Sequence, residues 1–267
     1  GWGLNAGNII MAAGFAWQQT KYNSINDTVY ENGDLLGQGG PTPSVGGTVR
    51  ASELFVEASV PLVSDASWTE NMTLDLAYRW SDYNTTGANS TYRAGIDWQV
   101  NRPFRLRAGY NRAVRAPSVA ELFSPQSLGL WSGVDPCAGA DPVPSPAECA
   151  RTGVTGDQYG NISISPAGQY NALYGGNPDL DVETADTYTA GIVLEMFDTM
   201  QLSVDWWSID IEDTISNVFA ETSLNECIAG TDALCANINR GVGGSLWIGK
   251  TGWVVSTQQN LGEQNWS

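Results

Sequence analysis

Hydrophobicity in this chain alternates with a period of two residues over long stretches, which restricts it to β-strands presenting one apolar and one polar face. Met72, Leu74, Leu76, Tyr78 and Trp80 share one parity; Thr73, Asp75, Ala77, Arg79 and Ser81 share the other. The next segment sets Tyr92, Ala94, Ile96, Trp98 and Val100 against Thr91, Arg93, Gly95, Asp97 and Gln99. Phe104, Leu106, Ala108 and Tyr110 then oppose Arg105, Arg107, Gly109 and Asn111, and the pattern returns over Tyr188–Leu194 and Leu202–Trp206. Weaker strands are predicted over Ile9–Gln18, Val49–Val60 and Leu246–Thr257. About eight strands result, most of roughly 10 to 13 residues, against a usual mode of about 5 to 6.

Composition narrows what those two faces meet. Only 15% of residues are charged, whereas 30 Gly, 11 Trp and 10 Tyr are present in 267 residues. Soluble domains carry about 25% charged residues, so the balance points to β-structure at an amphipathic boundary. The net charge of −17 excludes electrostatic capture of nucleic acid. Histidine is absent, which removes Ser-His-Asp and Cys-His catalysis and the commonest zinc ligand. No run approaches the roughly 20 apolar residues of a membrane helix. With no initiator Met or signal peptide, the chain reads as part of something longer.

The connections are expected to alternate in length. Pro61–Trp68, Val100–Pro103 and Phe197–Thr199 are short turns, while Thr20–Gly47, Tyr83–Asn89, Arg115–Glu183 and Asp213–Ser245 are loops of 28, 7, 69 and 33 residues. Short turns at one end and long loops at the other, with an apolar outside, a polar lumen and aromatic residues near strand ends, are features of outer-membrane barrels. Trp80, Trp98, Tyr110 and Tyr188 occupy such positions. All four cysteines lie in the two longest loops, paired by proximity as Cys137 with Cys149 and Cys227 with Cys235. They read as disulfides made in an oxidising compartment, each worth about 3 kcal/mol in the chain-entropy model.

Three segments resemble TonB-dependent outer-membrane receptors. Phe104 to Phe123 carries Arg115-Ala116-Pro117 followed by Glu121-Leu122-Phe123, similar to that family's strand-to-loop signature. Gly176-Asn177-Pro178, Leu180, Glu183 and Tyr188 resemble its lead-in to the next strand, and Leu202–Glu212 resembles the strand after that. The strand Glu53–Glu57 extends the likeness, and Gln258–Gly262 looks like a late periplasmic turn. The resemblance implies an all-β, antiparallel transmembrane β-barrel with long extracellular loops, of which residues 1–267 supply about eight of roughly 22 strands. It also implies a bacterial outer-membrane location, an N-terminal plug inside the barrel, a TonB partner reached through that N-terminal region, and import of a scarce small nutrient such as a carbohydrate or siderophore. Plug, coupling segment and barrel ends are missing from this chain.

In this reading outer-membrane lipid, the receptor's own plug, TonB and a nutrient are the partners, and no cofactor, metal or catalytic residue is assigned. Arg115 with Glu121 is expected to shape the long loop, and lumen-parity charges such as Glu53, Glu57, Asp75, Arg79, Arg93 and Asp97 are expected to meet the plug. The acidic run Asp179, Asp181, Glu183 and Asp186 offers carboxylates to calcium but lacks the EF-hand spacing. The loop aromatics Trp131, Tyr159, Tyr170 and Tyr174, with Trp247 and Trp253 on the last weak strand, are candidates for stacking on a ligand. Absence of a basic cluster in the loops favours neutral oligosaccharide over anionic siderophore. A passive porin, a secreted glycan-binding β-sandwich and a glycoside hydrolase using Asp205 and Asp210 are the alternatives.

Overall fold

The computed structural model describes residues 3–197 and 199–267; Asp198, within the expected turn Phe197–Thr199, lies outside them. Eight strands form one antiparallel meander: β1 (Ile10–Ser24), β2 (Val45–Ala66), β3 (Thr69–Tyr83), β4 (Gly87–Asn101), β5 (Phe104–Arg115), β6 (Glu183–Met196), β7 (Met200–Glu212) and β8 (Glu263–Trp266). Each pairs with its neighbour in sequence, and β1 and β8 are the two edges, so the sheet is not closed. Five small helices lie in the connections: α1 (Thr28–Asn32), α2 (Val119–Phe123), α3 (Pro146–Arg151), α4 (Ala220–Ala229) and α5 (Asp232–Cys235). Among the described residues no helix is long and apolar enough to cross a membrane.

Strands β2 to β7 contain the predicted ones, β1 starts one residue after the predicted Ile9 and runs on to Ser24, and the seven span 12 to 22 residues. The eighth differs. Leu246–Thr257 does not join the meander; Val254 and Val255 pair in parallel with Ala172 and Leu173 inside the loops. Gln258–Asn260 pairs with Ile215–Asn217, so it is not a periplasmic turn. The last wall strand is the polar segment Glu263–Trp266, bonded to β7. The third long loop therefore runs over residues 213–262, and the first shrinks to 25–44 because β1 and β2 extend into it.

The connections at 67–68 and 102–103 and the pairing of Met196 with Met200 lie at one end, and the connections at 25–44, 84–86, 116–182 and 213–262 lie at the other. The link after β3 is the exception, a tight turn of three residues. Asn84 stitches it to β2, accepting from the Arg50 amide at 2.5 Å and donating to the Thr48 carbonyl at 3.3 Å. In β2 the register slips between Pro61 and Val63, a bulge that accommodates a residue without an amide donor.

One face of the sheet is apolar and bare. Leu54, Leu76, Tyr188, Ile192, Val204 and Trp206 on it are all exposed, Val204 at 64%. Tyr92, Tyr110 and Tyr188 form a band on adjacent strands, with ring centroids 5.9 and 5.0 Å apart. An exposed apolar area spanning seven strands, edged by tyrosines, suits hydrocarbon and not water. Replacing Leu76 with Arg in the full-length receptor is expected to destabilise the inserted barrel by about 2 to 4 kcal/mol in a reversible folding measurement in lipid vesicles. An unchanged stability would assign this face to the interior.

Candidate functional site

At the loop end, the two sequence motifs dock on each other. Arg115, the last residue of β5, donates to Glu183 Oε2 and Oε1 at 2.5 and 2.8 Å and to Glu121 at 3.0 and 3.2 Å. Glu183 Oε1 also accepts from the Ile215 amide at 2.7 Å, so one guanidinium ties β5, β6, α2 and the start of the third loop. Pro117, fully buried, ends the β-ladder, and Ser118 and Glu121 then cap α2 reciprocally. Partial burial pushes the Glu121 carboxyl up, but hydrogen bonds from Arg115 and Ser118 outweigh it and hold the group below the ordinary carboxylate value.

Gly176 lies against this turn, and any side chain there would collide with the backbone of Glu121, Leu122 and Ser124. Its amide donates to the Ser124 carbonyl at 2.9 Å, and that of Asn177 to the Glu121 carbonyl at 2.8 Å. Pro178 follows at the exposed turn, and Leu122 and Leu180 enter a small core with Ile215, Val49 and Phe123. Ala116 and Pro117 also border a concavity of about 370 Å³ that includes Tyr22, Val49 and Tyr83. Tyr22 and Tyr83 occupy the polar parity at the loop end, so strand parity marks two aromatics that lie on the wall and not in the loops.

Beyond α2 the second and third loops fold together. A four-stranded sheet of residues 127–132, 169–174, 253–255 and 238–239 packs on α4 around Trp131, Tyr170, Ala172, Leu224, Leu246 and Val254. Cys137–Cys149 and Cys227–Cys235 are disulfide-bonded as expected, the first at the centre of a second small core. Between the loops, Arg240 pairs with Asp135 at 2.6 and 2.9 Å, with side chains 3% and 0% exposed. The same guanidinium donates to Thr152 and the Gly244 carbonyl, so each of its three nitrogens is hydrogen-bonded.

This packing reassigns several predicted ligand contacts. Trp131 and Tyr170 stack on each other at 5.1 Å within the core, Tyr170 being 1% exposed, so neither ring is free to meet a ligand. Tyr159 packs on the second core and donates to the Pro144 carbonyl; Trp247 lies against the first and donates to the Ser163 carbonyl. Tyr174 also packs against the first core, and it lines an open concavity of about 650 Å³ where the three long loops meet. The acidic run is dispersed as well. Glu183 binds Arg115, Asp181 turns to its own chain at Val182, and Asp186 accepts from Tyr110 and Arg112 on the apolar face. No group of three potential metal-ligating side chains occurs among the described residues.

The polar face of the sheet is laced with ion pairs. Glu53 accepts from Arg79 and Ser81, Asp97 binds Arg105, and Arg107 reaches Asp205 at 2.8 Å across β6. Gly191 lets that last pair cross, because a Cβ there would collide with Asp205 and Arg107. Asp205 and Asp210 lie on opposite faces of β7, Asp210 beside Asn265, so they share no cleft for glycoside hydrolysis.

Residues 1–266 match the family of TonB dependent receptor-like β-barrels. This chain belongs to that family. The barrel is also similar in fold to the siderophore receptor PirA from Acinetobacter baumannii (TM-score 0.59, 17% identity, 99% of this chain and 31% of that one). A mutant ferric enterobactin receptor, PfeA, from Pseudomonas aeruginosa with enterobactin bound is comparable (TM-score 0.60, 16% identity, 98% and 30%). PirA from P. aeruginosa follows at TM-score 0.54 and 15% identity, over 96% and 34%. The chain thus spans about a third of the length of these receptors, and no curated protein matches it. For the receptor barrel's loop unit, Arg240→Met is expected to destabilise the fold by about 3 to 5 kcal/mol by stranding Asp135. Hydrogen exchange should show lost protection at Ala172 and Val254 with β5 and β6 unchanged; unaltered loop protection would contradict this.

Proposed function

We propose that this chain forms wall and outer mouth of a Gram-negative outer-membrane receptor that binds a scarce nutrient, carbohydrate, siderophore or similar, and imports it with energy relayed by TonB. The observation that carries the reading is the family match over residues 1–266. The apolar face then meets lipid, the stapled loops face the outside, and the polar face lines the lumen. Glu57, Asp75 and Arg93 make no ion pair among the described residues and are assigned to contacts with the plug. The chain performs no covalent chemistry.

Cells lacking the gene, complemented with the full-length receptor, would be grown on limiting single sources of carbon or iron. Uptake of the nutrient that restores growth is expected to fall at least tenfold when TonB is deleted or the proton gradient collapsed. Uptake indifferent to both would assign the barrel to the passive porins.

A further inference from the structure

The concavity of about 650 Å³ between the three long loops carries no positive charge and sets polar side chains among the apolar ones of Pro41, Pro43, Pro125 and Leu130. Amides of Gln38, Asn217 and Gln258 line it, with the Ser127 hydroxyl and the Tyr174 ring. Its one carboxylate, Glu121, is already held by Arg115. Asn217 donates to Ser256 Oγ at 3.1 Å, which leaves its carbonyl oxygen free, and the Gln258 side chain has no hydrogen-bond partner among the described residues. Gln38 Nε2 donates to the Tyr30 carbonyl and Thr42, while its Oε1 is buried with no partner. Burial pushes the Tyr174 phenol up, so the ring stays neutral and offers an O–H donor.

Charge around the site points the same way. Residues 25–44, 84–86, 116–182 and 213–262 hold fourteen acidic and only three basic side chains. Two of the three are already paired, Arg240 with Asp135 and Arg151 with Asp232 and the Cys227 carbonyl, which leaves Lys250. A strongly anionic ligand would enter against this field, and the cavity lining holds no guanidinium or ammonium to receive it. Side-chain amides that both donate and accept, a hydroxyl and an aromatic face match sugar hydroxyls and the C–H face of a pyranose. We propose that this cavity is the cargo site and that its ligand is an uncharged oligosaccharide. The proposal rests on the receptor reading above and specifies its substrate class.

The test is equilibrium binding to the full-length receptor in detergent. The probes are neutral gluco-, xylo- and manno-oligosaccharides, an anionic oligogalacturonate and a ferric catecholate. At least one neutral oligosaccharide is expected to bind, with affinity changing less than about twofold as salt rises from about 50 to 500 mM. Gln258→Ala and Tyr174→Ala should each weaken that binding about tenfold or more, with both disulfides and heat-modifiable migration retained as evidence of folding. Binding of the anionic probes alone, binding of no neutral probe, or neutral binding untouched by both substitutions overturns the proposal. TonB-dependent uptake of the ferric catecholate would overturn the oligosaccharide assignment and leave the receptor reading standing, whereas energy-independent uptake would overturn the receptor reading itself.

Discussion

Interstrand hydrogen bonding is the constraint on which the rest of this structure depends. A wall that meets hydrocarbon has no water to satisfy its amides and carbonyls, so each must be bonded to the next strand. The registers from β1 to β7, interrupted only by slips at Pro61/Val63 and Gln99/Asn101 among the described residues, do this, and consecutive antiparallel pairing needs only tight turns at one end. Side-chain chemistry then divides by parity: apolar groups on one face are left uncovered, and charges on the other neutralise one another across strands, as Arg107 and Asp205 do over Gly191.

Such a wall has no core between its faces, so the long connections at its other end must supply their own. They do so with a small sheet, α4, two disulfides and the buried Asp135–Arg240 pair. Arg115 joins the two regimes, since it ends a wall strand and organises the first turn of the loop unit through Glu121 and Glu183. The loop unit is thereby held as one packed body on the end of the wall.

How much of this was legible in the sequence follows from the same physics. Seven wall strands could be read because their alternation is imposed by two different solvents on two faces. The eighth could not: Glu263–Trp266 is short and polar, while Leu246–Thr257 alternates as a strand but takes its partners from the second loop. Cysteine proximity showed the disulfides, whereas Asp135 and Arg240 meet across 105 residues with no local sign. Trp131 and Tyr170 illustrate the limit at the site, because a loop aromatic has the same sequence appearance whether it packs a core or awaits a ligand. The pairing of Arg115 with Glu121 could be read from their spacing, whereas its bond to Glu183 and the convergence of Gln38, Tyr174, Asn217 and Gln258 depend on how distant segments fold together.

The two faces of the wall meet different solvents, and solvent accessibility along one strand reads this out. Nitroxide labels placed singly at positions 73 to 78 of the full-length receptor in bilayers would be read for collision with oxygen and with a water-soluble nickel chelate. Oxygen maxima are expected at Leu74, Leu76 and Tyr78 and nickel maxima at Thr73, Asp75 and Ala77. Oxygen maxima on the second set, or no alternation at all, would contradict it.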